Sequence, residues 1–161
     1  MPGRSLIAAL RDLCAGDIEF VVVGELAAAL NGTPCQTLVI DLVCSRETAN
    51  IDRLPRFLSD ADAIFRIQPE RRFRPDASHL GAGRHLNLLT RYGPMDLLAT
   101  IGPNLGYQDL LPHSNEMNIG EGMRIRVLDL ETVIAVKEQL ATEKDRAALP
   151  ILYQTLRQMK Q

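Results

Sequence analysis

Two aspartates stand in unusually apolar company. Asp41 interrupts the run Leu38-Val39-Ile40-Asp41-Leu42-Val43, and Asp96 lies in Met95-Asp96-Leu97-Leu98. A charge in such a segment is costly unless it finds partners, which makes each a candidate functional group. The plainer alternatives are a structural carboxylate at a strand end for Asp41 and an isolated turn residue for Asp96. If the two converge, they offer hard oxygen ligands to a divalent cation such as Mg²⁺. Glu25 and Glu47 are further acids that could complete the set. Lys137 falls inside the apolar stripe Leu130, Val133, Ile134, Leu140 and Ala141. Either its stem snorkels with the amine in water, or the amine faces a cleft and meets a phosphate, Asp41 or Asp96.

Other reactive side chains are less organised. Arg66, Arg71, Arg72, Arg74 and Arg84 are mixed with Pro69, Pro75, Gly81 and Gly83. They could contact phosphate or RNA, but only Phe65 and Phe73 accompany them, so a solvated loop or a protein-partner surface is the preferred reading. His79, His85 and His113 lack metal-ligand spacing; His85 could face inward from its strand. Cys14, Cys35 and Cys44 are odd in number and contain no CxxC pair. They read as packing residues, free thiols suited to a reducing cytoplasm rather than a disulfide or zinc framework.

The elements that must position these groups follow from periodicity. Residues 4–15 place Leu6, Ile7, Leu10, Leu13 and Cys14 at helical spacing, with Gly16 as a stop. Residues 19–24 form a β-branched run ending in Gly24, and residues 25–31 are strong helix formers closed by Gly32. Residues 36–44 predict a second buried strand, after which Ser45 caps a helix running to Leu58 with Glu47 in its first turn. Residues 66–84 read as a loop, with a short strand near 64–67. Residues 85–90 and 95–100 predict two strands joined by the turn Tyr92-Gly93-Pro94. A mixed segment precedes a strand or extended edge at 123–128. Asp129 then caps a helix over about 130–142, and a last helix spans 144–159, where Pro150 should kink it or mark a restart.

This order predicts one α/β (α+β) domain over residues 1–161, with a small mixed sheet flanked by helices and two helices at the C-terminal end. Hydrophobic residues make up 46% and Trp is absent, so the core must be aliphatic. A net charge of −2 gives no global sign of a nucleic-acid or membrane-surface protein. No signal-peptide core follows the first residues and no apolar run reaches bilayer length. There is no GxGxxG, P-loop or GxSxG motif.

Four pieces taken together carry a resemblance: a strand ending in Gly24, a short Ala-rich helix, a strand with Thr37 and Asp41, and Gly93-Pro94-Met95-Asp96-Leu97-Leu98 far downstream. With Val127-Leu128-Asp129-Leu130-Glu131-Thr132-Val133-Ile134-Ala135-Val136-Lys137 and Glu143-Lys144-Asp145-Arg146, this resembles the nucleotidyltransferase-fold proteins related to DNA polymerase β. These include the minimal and AbiEii-like members of bacterial toxin–antitoxin pairs. The resemblance covers residues 18–158 and implies transfer of a nucleoside monophosphate from an NTP to an acceptor hydroxyl, using two Mg²⁺ ions ~4 Å apart. It assigns Asp41 and Asp96 as catalytic, metal-holding carboxylates and Gly24, Glu25, Thr37, Lys137 and Lys144 as nucleotide-binding positions. Two departures stand out. Val39 occupies the position of the first carboxylate, two residues before Asp41, and Glu25 follows Gly24 where the family has a small residue. The resemblance therefore implies a degenerate member that binds a nucleotide, an RNA or a protein partner. The alternative is an active transferase using Asp41 and Asp96 with one metal ion. Glu25 or Glu47 close to both aspartates would favour the enzyme; a dry corner at Val39 would favour binding.

Overall fold

The apolar runs become the middle of a seven-stranded mixed sheet of order β3-β4-β5-β2-β1-β7-β6 in the computed structural model, which describes residues 2–161. The strands are β1 (Phe20–Val22), β2 (Ile40–Cys44), β3 (Ile64–Phe65), β4 (Leu86–Thr90), β5 (Gly93–Leu98), β6 (Ser114–Asn118) and β7 (Arg124–Leu128). The α-helices are α1 (Pro2–Ala15), α2 (Gly24–Leu30), α3 (Thr48–Asp60), α4 (Ala77–Gly81), α5 (Tyr107–Leu110), α6 (Leu130–Leu140) and α7 (Glu143–Met159). β2 lies at the centre, antiparallel to β1 and parallel to β5, while β1 is also parallel to β7. Both faces of β2 are covered along most of its length, Ile40, Leu42 and Val43 being buried; hence the nearly unbroken apolar run around Asp41. The core is aliphatic and contiguous, built on Leu10, Leu13, Val21, Ile40, Leu42, Leu88 and Met95.

The mixed sheet flanked by helices agrees with the expected class, and several boundaries differ. β2 starts at Ile40, not residue 36. Thr37 donates its hydroxyl to the Val39 carbonyl at 3.0 Å, a local bond that competes with strand pairing, and Leu38 is 71% exposed. Ser45 does not cap α3. The helix begins at Thr48 with Glu47 at the N-cap, and the buried Ser45 instead accepts from the Glu47 N–H through Oγ at 3.3 Å. The hairpin turn is Arg91-Tyr92, since Gly93 already pairs with Thr90 and Pro94 with Leu89, and β5 ends at Leu98.

Residues 77–81, read as loop, form a short helix that Asp76 and His79 cap reciprocally. β6 was hidden because Ser-Asn-Glu-Met-Asn has the polar composition of an exposed strand. It makes β7 an interior strand rather than an edge. Asp129 caps α6 by accepting from the Thr132 N–H at 2.7 Å. α7 runs through Pro150 without a restart. One backbone bond is lost there, but buried Leu152 and Thr155 hold the second half against the core.

Candidate functional site

The parallel pairing of β2 with β5 places Asp41 directly beside Asp96. Ile40 and Leu42 on one strand, Met95 and Leu97 on the other, are buried on the opposite face, and strand alternation leaves both aspartates on the same side. The register extends outward. Asn87 on β4 pairs with Asp96, and the Arg66 N–H donates to the Asn87 carbonyl at 3.0 Å. Arg66, Asn87, Asp96 and Asp41 thus form a polar row across four neighbouring chain segments. At its other end the Val23 N–H donates to the Asp41 carbonyl at 3.0 Å. Gly24 follows with φ +64°, and a Cβ there would lie 2.5 Å from Asp41 Oδ2. Only glycine combines this left-handed turn with so close an approach.

Asp41, Asp96, Gly24, Glu25, Thr37, Lys137 and Lys144 line one cleft of about 240 Å³, together with Val39 and Asp145. Glu47 stands apart, exposed beyond the far end of β2. Lys137 pairs with neither candidate aspartate. Its amine lies 3.6 Å from Asp145, and both side chains are only 13% exposed. Asp145 also accepts from the Thr142 hydroxyl at 2.6 Å, closing the capping box of α7, and that bond, with Lys137 beside it, holds its carboxyl below the usual range. Lys144, largely in solvent, reaches Glu25 at 3.8 Å. The sequence reading missed Arg66 as a site residue. Its guanidinium crosses β4 to bind Asp96 at 2.7 Å and the Leu88 carbonyl at 3.0 Å. The available signal was strand alternation, which sets Arg66 opposite in direction to Phe65.

Each of three cleft carboxylates therefore has its own cation: Asp96 has Arg66, Asp145 has Lys137 and Glu25 has Lys144. Among the described residues Asp41 makes no ion pair. Burial, then the charge of Asp96 and a hydrogen bond with its carboxyl, then Glu25, push the Asp41 carboxyl up to about 7, against a smaller opposing pull from Lys144. Near neutral pH this pair holds a proton or attracts a cation.

The residues do not fit two Mg²⁺ ions. Val39 contributes an apolar wall where a third oxygen ligand would be needed, Glu25 is engaged with Lys144, and Arg66 holds Asp96. Among the described residues no three His, Cys, Asp or Glu side chains form a metal-binding group. What remains is Asp41 and the oxygen of Asp96 that Arg66 leaves free.

An apolar hollow of about 380 Å³ adjoins the cleft, sharing Gly24, Lys137 and Asp145 with it and walled by Leu98, Ile101, Val133 and Val136. His85 borders this hollow; it is exposed and precedes β4 rather than facing inward from it. A larger hollow of about 800 Å³ lies elsewhere, against α1, α3 and the Arg91-Tyr92 turn. Its groups largely neutralise one another, Arg91 pairing with Asp12 at 3.1 Å and stacking on Tyr92 at 4.5 Å. His79 serves its helix cap and meets the Phe65 ring edge-on at 4.8 Å. Cys35 is exposed and not a packing residue, whereas burial pushes the Cys44 thiol up to about 12.

No protein-family model matches this sequence, and no curated protein was found to match it. Among the described residues no helix is long and apolar enough to cross a membrane.

Proposed function

We propose that this protein is a nucleotidyltransferase-like binding protein. In this reading its cleft takes a nucleotide together with one divalent cation and has lost the second ion that transfer chemistry needs. The observation that carries the reading is the in-register Asp41–Asp96 pair under Gly24, with Val39 where a third carboxylate would stand. When bound, the cation would neutralise Asp41 and screen the phosphates from Glu25. Lys144 supports the same reading: it is 84% exposed and loosely paired at 3.8 Å, so it can turn from Glu25 to an incoming phosphate. The apolar hollow beside Lys137 suits the base and sugar. Widely spaced thiols are consistent with work in a reducing cytoplasm, and a toxin–antitoxin role belongs to the same proposal through the resemblance described above.

Isothermal titration of the four NTPs with Mg²⁺ or Mn²⁺, beside Asp41→Ala, tests it. The expected result is metal-dependent NTP binding that Asp41→Ala abolishes, with no pyrophosphate release on addition of candidate acceptors. Absence of binding to every NTP would overturn the reading.

Asp41 itself favours a second reading, an active transferase. A carboxyl pushed up to about 7 and free of any cation is suited to accept the proton of an attacking hydroxyl. The acceptor oxygen would bond to the α-phosphorus, the bond from that phosphorus to the bridging oxygen would break, and pyrophosphate would leave. Pyrophosphate release that requires Asp41 would select this alternative.

A further inference from the structure

Arg66 is the most firmly held cation near the cleft. Its backbone N–H donates to the Asn87 carbonyl at 3.0 Å, Nη1 to the Leu88 carbonyl at 3.0 Å and Nη2 to Asp96 Oδ1 at 2.7 Å. By contrast, the Lys144 amine is 84% exposed and 3.8 Å from its partner, and Lys137 is committed to Asp145 at 3.6 Å. A guanidinium keeps its charge throughout the accessible pH range and matches a carboxylate in shape. The side chain of Asp96 is only 19% exposed, so Arg66 covers one of its oxygens and cancels its charge at the same time.

We propose that Arg66 is a resident counter-ion that takes on Asp96 the place of a divalent cation, so that the Asp41–Asp96 pair binds at most one ion, and binds it weakly. The row Arg66, Asn87, Asp96, Asp41 carries this inference, because the sheet register aims a fixed positive group along the strand neighbours of the acid pair. Arg66 thereby sets the metal preference of the cleft. Removing its charge returns a full carboxylate to the pair; an adjacent cation lowers a carboxylate's proton affinity by about tenfold or more, and by the same electrostatics its removal should raise divalent-cation affinity at least as much. The inference deepens the binding reading but is measured without nucleotide, so its failure is separable from failure of NTP binding.

The test is isothermal titration of Mn²⁺ alone into wild type, Arg66→Gln, Arg66→Ala and Arg66→Lys, with thermal melting by circular dichroism on each. Gln keeps the first part of the stem and a neutral polar end, so this variant decides the matter where Ala is too disruptive to fold. The expected result is that Arg66→Gln binds Mn²⁺ about tenfold more tightly than wild type. That gain should disappear on adding Asp41→Asn, and Arg66→Lys should stay near wild type. Unchanged or weaker Mn²⁺ binding by a folded Arg66→Gln would overturn the proposal, as would a wild-type stoichiometry of two ions at the acid pair. A wild type that binds no NTP, beside a tightened Arg66→Gln, would retain the counter-ion and reject the nucleotide.

Discussion

Replacing Asp41 by Asn should stabilise the fold, and only at neutral to alkaline pH. Asn has nearly the same shape, and its amide can donate to Asp96 as the protonated acid does. In the folded chain the Asp41 carboxyl is pushed from 3.8 to about 7, chiefly by burial and by Asp96. The folded state therefore binds this proton more tightly than the unfolded chain does. Between those two values the folded state keeps the proton while the unfolded state has released it, so stability falls as pH rises through the interval and levels off above it. The displacement corresponds to about 4 kcal/mol. Asp41 is partly open to solvent, and screening there brings the expected effect to about 2 kcal/mol. Urea unfolding measures it, followed by far-UV circular dichroism because the chain has no Trp. At about pH 4 wild type and Asp41→Asn should be nearly equal, and at about pH 8 the variant should lead by about 2 kcal/mol. A difference independent of pH, or a variant less stable than wild type at the alkaline end, would refute the reasoning.

Two further outcomes follow from the same geometry. Gly24→Ala should destabilise the fold by about 2 kcal/mol or more, since left-handed backbone costs an L-residue about 1–2 kcal/mol and the new Cβ meets Asp41 Oδ2 at 2.5 Å. In an Asp41→Ala background about 1 kcal/mol of that loss should return, and a double-mutant cycle by urea unfolding reads the coupling. Val39→Asp adds a carboxylate beside Asp41 and Asp96 in the wall of the same cleft. Calorimetric titration should find tighter Mn²⁺ binding than in wild type, and unchanged binding would count against the metal-facing geometry of that corner.

The central strands were legible because burial on both faces of the sheet demands apolar residues at successive positions. Phe20-Val21-Val22 and Ile40-Asp41-Leu42-Val43-Cys44 carry that demand in their composition. Of the C-terminal helices, α6 was legible through its apolar stripe and the cap Asp129, whereas Thr142, which caps α7, read as the end of the preceding helix. β6 was not legible, since Ser114–Asn118 pairs on one side only and has mainly polar side chains. The extension of β2 back to residue 36 failed on a local bond, Thr37 to the Val39 carbonyl, which no periodicity registers.

The sequence by itself determined that Asp41 would be costly: a lone acid in an apolar run needs a partner or a purpose, whatever the fold around it. It also set the apolar Val39 two residues before Asp41, where the resemblance to nucleotidyltransferases would have a carboxylate. Only the tertiary structure decided which groups answer those acids. Arg66 reaches Asp96 from 30 residues away, Lys144 reaches Glu25 across the cleft and Lys137 turns to Asp145. Register across a sheet and the packing of α6 and α7 are set by long-range contacts, and an ion pair depends on distances of a few ångströms that spacing along the chain does not encode.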